Sequence, residues 1–246
     1  MITKAKLDEL AAKYETIDFI KDDPVRFPSR FTTKKDIEIA GFISSLVAYG
    51  RRDIFTKKLD ELFNIAQNEP LNFIQNFEPE ILRNFNYRFG KPEDFTQIFL
   101  ILKDLYSKNS SLEELFKYGY ENPVKENMFI PVSDYFYSRA KDAGQGFYFM
   151  IPDPKKGGAM KRMCMFLRWM VRKGPVDFGI WDFMPASDLY IPLDVHVARI
   201  SREMGLLTRN ANDFKSVKEL TNNLKNFDPK DPIKYDFAMF GYSVSK

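Results

Sequence analysis

A lysine just after a double-glycine turn and an aspartate at the start of a helix are residue types from which amine–carboxylate chemistry can be built. Both occur in the stretch Gly157–Arg199, which begins GGAMKRMCMFLRWMV and ends LDVHVAR, with Lys161 and Asp194 33 positions apart. The pattern places each of them at a helix start. A lysine nucleophile must first lose its proton, which burial and nearby cations favour. A carboxylate beside it stabilises positive charge developing on a substrate. Each residue also has a plainer role. Asp194 suits an N-cap for a helix over 195–204, closed by Gly205, and Lys161 suits a phosphate contact or a solvated surface position. Lys155 and Lys156 are rivals for any nucleophilic role, and His196 fits a structural position as well as an acid–base one.

Charge singles out the same region. The net charge is +3, but residues 150–175 hold Lys155, Lys156, Lys161, Arg162, Arg168, Arg172 and Lys173 against the single acid Asp153. That segment is +6 and the rest of the chain is −3, the footprint expected where phosphates dock, or else a solvated helix face. The one cysteine, Cys164, excludes an intramolecular disulfide and an all-cysteine cluster, and with one histidine the expectation is no metal and no cofactor. No GxGxxG, phosphate-loop, HExxH or GxSxG motif occurs. With no run of 18 apolar residues and an amphipathic N-terminus, the expectation is a cytoplasmic protein with no membrane partner.

The elements that must position these residues read as helices. Apolar periodicity predicts helices at 4–14, from Asp36 to near AYGRRD, where Gly50 offers a stop, then at 53–67, between Pro70 and Pro79, 95–107, 112–120 and 132–143. Further helices are expected at 158–173, 195–204, 212–226 and 231–241. DDPVRFPSRF (22–31) reads as an extended link, FYFMIPDPKKGG as a loop, and 174–192 as an ordered loop carrying Trp181. In the basic helix, Met160, Met163, Cys164, Leu167, Met170 and Val171 form an apolar stripe, with Lys161, Arg168 and Arg172 on an adjacent one. No convincing β alternation appears, so the fold class is all-α. The expected division is an N-terminal lobe over 36–130 and a second lobe over 131–246.

KKGGAMKRMCMFL followed by PLDVHVARI resembles the helix–hairpin–helix DNA glycosylases, the superfamily of endonuclease III and the 8-oxoguanine glycosylases. Their hairpin reads roughly G-x-G-x-K-T-A. Here Gly157, Gly158, Ala159, Met160 and Lys161 keep the first glycine and the lysine, with alanine at the second glycine position. Their second motif, V-D-T-H-hydrophobic-x-R, is close to Leu193–Arg199. The long separation of the two motifs is similar to that of the archaeal-type 8-oxoguanine glycosylases, and the iron–sulfur cysteines of endonuclease III are absent. DIEIAGFISSLVAYGRRDIF resembles the helix–turn–helix whose turn inserts a side chain into the DNA stack. The whole chain is also similar to an uncharacterised bacterial family through phrases such as DDPVRFPSRF, AYGRR and DPIKYDFAMFG.

The resemblance implies a two-lobed helical glycosylase fold and a nucleoid-associated monomer. It also implies a base-excision repair enzyme that removes an oxidised purine such as 8-oxoguanine from double-stranded DNA. It makes Lys161 the nucleophile and Asp194 the catalytic carboxylate. Tyr49, Arg51 and Arg52 would probe the duplex, Lys155, Lys156, Gly157, Gly158, Arg162 and Arg168 would hold its backbone, and Trp181 and His196 would line the base pocket. The alternatives are a non-catalytic DNA-binding module of the same fold and a helical interaction protein.

Overall fold

Side-chain oxygens fix many of the helix starts. Thr3, Thr33, Ser111, Asp194 and Asp213 each accept a backbone N–H from the first turn of the helix they precede. Pro70 and Pro92 open two more, where a missing N–H costs nothing. The computed structural model describes residues 2–108 and 110–245, and among these it contains α-helices, short 3₁₀ turns and no β-strand. The chain is all-α. Its helices group into two units, one of Met1–Val25 with Lys156–Lys246 and one of Arg26–Lys155. The expected lobe 36–130 falls inside the second, and 131–155 joins it there. The first 25 residues group with the C-terminal part of the chain.

The discontinuous unit begins with α1 (Lys4–Tyr14). The continuous unit then runs through α2 (Lys34–Val47), α3 (Arg52–Ile65), α4 (Pro70–Gln75), α5 (Pro92–Ser107), α6 (Leu112–Glu121), α7 (Phe129–Tyr137) and α8 (Gln145–Met150). At its centre is α2, buried on every side from Ile37 to Val47. It packs against α3, α4 and α6. The buried Glu38 of α2 accepts hydrogen bonds from the Tyr106 hydroxyl and the Leu112 N–H, so its carboxylate is not left bare in an apolar core.

Three local expectations are corrected here. The 22–31 segment is not extended but is coiled into 3₁₀ turns over Pro24–Arg26 and Pro28–Arg30, directly after one over Phe19–Asp22. Proline's fixed φ fits a 3₁₀ turn as well as an extended chain. The turns close over buried Phe27, which stacks on Phe63, with Arg26 and Arg30 over its ring and both bonded to Asp60. Second, α7 starts at Phe129, with Pro131 tolerated in its first turn, and stops at Tyr137. Third, α8 forms inside the expected loop, where buried Phe147 and Met150 offset its short length.

The discontinuous unit resumes with α9 (Lys161–Val171), α10 (Val195–Glu203), α11 (Phe214–Lys225) and α12 (Tyr235–Val244). There α12 packs against both α1 and α10. Gly205 sits at φ +73 behind α10, the left-handed stop that glycine favours. The 174–192 segment contains one 3₁₀ turn, Ala186–Asp188. It docks on the end of α9, where Phe178 and Trp181 donate their backbone N–H groups to the Trp169 and Met170 carbonyls. Those carbonyls would otherwise be the orphan acceptors of a helix C-terminus.

Candidate functional site

The double glycine does shorten α9. Gly157 turns at φ +74 and accepts the Phe214 N–H at 2.9 Å, while Gly158 bridges to Asp213 at the start of α11. A Cβ at either glycine would meet nothing within 4 Å, so both present open backbone. Met160 then adopts φ +53, a left-handed conformation costly for a residue with a Cβ, and α9 begins at Lys161 rather than at 158. Strain of this kind directly before a chemically capable side chain is a pointer to function. Lys161 is half-buried, with its Nζ 3.4 Å from the Met165 Sδ.

Asp194 is the N-cap of α10 that the sequence predicts. Its Oδ1 accepts both the His196 and Val197 N–H groups at 2.9 Å. The cap thus occupies one carboxylate oxygen and leaves Oδ2 without a hydrogen bond among the described residues. His196 is exposed, its ring edge-on to Phe240 at 5.9 Å.

Asp236, on α12, is the residue that sequence reasoning missed. Burial pushes its carboxyl up to about 6, the Arg168 guanidinium opposes that rise, Asp194's charge adds to it, and Lys161's charge counters it. One buried carboxyl therefore lies within the electrostatic reach of both Lys161 and Asp194. The signal was present in the sequence as a lone acid in the apolar run YDFAMFGYSV.

Arg168 and Arg172 of the basic stripe on α9 are buried, and the expectation of a DNA contact at Arg168 is corrected. Arg168 is buried, donating to Asp236 at 2.5 Å and to Asp177 at 3.2 Å and pairing with Glu15, with the Phe237 ring 4.3 Å from its Cζ. Arg172 is buried beside it, donating to Asp231 at 2.8 Å, to Asp177 at 2.7 Å and to Glu15. Burial works against both guanidinium charges, but the surrounding carboxylates outweigh it and raise both pKa values. Two guanidiniums thus sit among the four carboxylates Glu15, Asp177, Asp231 and Asp236.

That shift has a pH signature. The folded state holds Asp236 protonated to a higher pH than the unfolded chain does, from about 6 against an ordinary 3.8. Its contribution to stability is therefore fully present below the ordinary value and lost as pH rises through about 6. Relative to Asp236→Asn, the wild type is expected to gain up to about 3 kcal/mol as pH falls from 7 to 4. Urea unfolding of both proteins at the two pH values measures this, and parallel curves would count against it.

Trp181 is likewise corrected as a pocket residue. It is 1% exposed, with its ring edge-on to Phe166 at 5.2 Å, and serves as core. Arg162 is half-buried in the first turn of α9, and Lys156 is exposed. Burial pushes the Cys164 thiol up, which leaves it inert as a nucleophile. Among the described residues no group of three or more His, Cys, Asp or Glu side chains is arranged to hold a metal ion, and no helix is long and apolar enough to cross a membrane.

In the continuous unit, Lys155 is exposed and bonded to both oxygens of Asp134, at 2.6 and 2.9 Å. Arg51 is exposed and bonded to Asp53 at 2.8 Å, and Arg52 is half-buried. Tyr49 is held at both ends. Its hydroxyl donates to the Tyr87 carbonyl at 2.9 Å, and the Tyr87 hydroxyl donates to the Tyr49 carbonyl. The more exposed rings beside it are Phe89 and Phe149.

A family model described as Protein of unknown function (DUF2400) matches residues 23–245. The chain belongs to the DUF2400 family. No curated protein and no solved structure matches it. The DUF2400 match covers Lys161, Asp194, Asp236 and the Tyr49 ring cluster, whereas Glu15, a partner of both buried arginines, lies ahead of it.

Proposed function

We propose that the chain is a base-excision DNA glycosylase of the helix–hairpin–helix type that removes an oxidised purine, such as 8-oxoguanine, from duplex DNA. The observation that carries this reading is the turn that sets Lys161 at the start of α9, directly behind the open Gly157–Gly158 backbone and the left-handed Met160. The unbonded Oδ2 of Asp194, and a buried Asp236 carboxyl raised by Asp194's charge and lowered by that of Lys161, support it.

The damaged nucleotide is flipped out of the stack. The deprotonated Lys161 amine bonds to the sugar C1′ while the C1′–N bond to the base breaks, and the base leaves with the electron pair and takes up a proton. Asp194 stabilises the positive charge on the sugar through its free oxygen. Opening of the sugar ring then gives an iminium between Lys161 and C1′. Loss of a C2′ proton from it expels the 3′ phosphate, and water releases the lysine. Gly157, Gly158 and Lys156 contact the DNA backbone.

Borohydride reduction traps that iminium. A covalent adduct on duplexes carrying 8-oxoguanine or an abasic site is expected for the wild type and absent for Lys161→Gln. An adduct surviving in Lys161→Gln and lost in Lys156→Gln would move the nucleophile. No adduct on either duplex, with no base release from the 8-oxoguanine duplex, would sink the reading.

A further inference from the structure

Within the continuous unit, Arg88 and Phe89 form a two-residue turn between Tyr87 and Gly90, whose backbones exchange hydrogen bonds of 2.9 and 2.8 Å. Arg88 stands there at φ +50, a position that glycine would occupy without strain. The arginine side chain lies over the rings of Tyr49 and Phe89, its Cζ 5.9 and 5.6 Å from their centroids. It has no carboxylate partner among the described residues.

The rings beneath it face solvent. Phe89 is 55% exposed and Phe149 39%, with their centroids 5.0 Å apart. Tyr49 lies 10° from parallel to Phe89 and 4.8 Å from Phe149. Their presentation is built from below. Buried Asp94 accepts the Lys91 and Gly144 N–H groups at 3.0 and 2.7 Å, tying the turn to the start of α8. A Cβ on Gly146 would come within 2.3 Å of both Asp94 Oδ2 and the Phe89 carbonyl oxygen, so only glycine permits this closeness. Exposed phenylalanines held this firmly are not the tip of a loose loop.

We propose that Tyr49, Phe89 and Phe149, with Arg88, form a stacking site for the unpaired bases of single-stranded DNA. A base has a π-face for an exposed ring, and its phosphate supplies the anion that Arg88 lacks. Three partly exposed rings offer far less area than the roughly 1,000 Å² that a stable protein interface needs, whereas one or two bases fill it. The proposal does not rest on the Lys161 chemistry.

Fluorescence anisotropy with a labelled fifteen-residue oligothymidylate tests the site. The wild type is expected to bind, and Phe89→Ala to bind about ten-fold or more weakly, the loss expected for one stacked base. Arg88→Gly relieves the turn, so its Tm is expected to equal or exceed that of the wild type while binding weakens. Its log–log salt slope should shrink by about 0.7, one single-strand phosphate contact. Tyr118→Ala, which removes an exposed ring outside this cluster, is expected to bind like the wild type. Oligonucleotide binding by a protein that yields no borohydride adduct would support this site while the glycosylase reading fails. The proposal is overturned if the wild type does not bind the oligonucleotide. It is equally overturned if Phe89→Ala and Arg88→Gly both bind unchanged, or if Phe89→Ala alters only self-association in sedimentation.

Discussion

Asp194→Asn is expected to leave α10 capped and the chemistry largely lost. Asparagine caps a helix about as well as aspartate, and here both N–H bonds fall on Oδ1, which an amide oxygen can replace. The folded state forfeits only the interaction of a full negative charge with the helix start, about 0.3–1 kcal/mol. Base release should suffer far more, because the neutral amide cannot stabilise charge on the sugar. Losing one such electrostatic contribution lowers single-turnover rates by about 10²-fold or more. Asp194→Ala should cost about a further 1 kcal/mol in stability without slowing excision much beyond Asn. Thermal unfolding beside single-turnover excision separates the two roles. An Asn variant as fast as the wild type would reduce Asp194 to a cap.

Arg168→Met is expected to destabilise the protein by about 3–5 kcal/mol, the cost of removing one partner from a buried ionic group. The methionine fills the volume but leaves Asp177, Asp236 and Glu15 with one guanidinium fewer in a site closed to water. The loss should shrink at acid pH, because Asp236, already raised to about 6, discards its charge first. Adding Asp236→Asn to Arg168→Met should recover part of the stability at pH 7, since a neutral amide needs no countercharge. Urea unfolding of the single and double variants measures both effects. A single-variant cost below about 1 kcal/mol would mean that packing, not charge, holds this helix.

The residues that the sequence located well are those whose chemistry is local. Asp194 caps α10 because an aspartate oxygen reaches N–H groups two and three residues on, and Gly205 ends that helix through its own φ. Arg168 and Arg172 show where this reasoning stops. Their spacing on α9 gives a shared stripe correctly, but Glu15, Asp177, Asp231 and Asp236 come from four other parts of the chain. Nothing in a helical period says that carboxylates will close over cations. Trp181 was misplaced for the same reason, since the Met170 carbonyl that anchors its backbone comes from the neighbouring helix. Phe89 was not legible, because Arg88 at φ +50 stands where a two-residue turn usually announces itself by Asn, Asp or Gly.

The discontinuity of the first unit bears on the order in which the chain can acquire structure. Residues 26–155 form one uninterrupted stretch, so every contact of that unit is available before the last ninety or so residues have been synthesised. The other unit has no such option. Tyr14 reaches Ser245, and Glu15 reaches Arg168 and Arg172, so α1 must wait for partners 153 to 231 residues downstream. Closing so long a loop adds little to its equilibrium cost, because that cost grows only with the logarithm of length, but it is slow. During that interval Leu7, Leu10 and Ala11 remain uncovered, an apolar stripe that a chaperone would shield during synthesis.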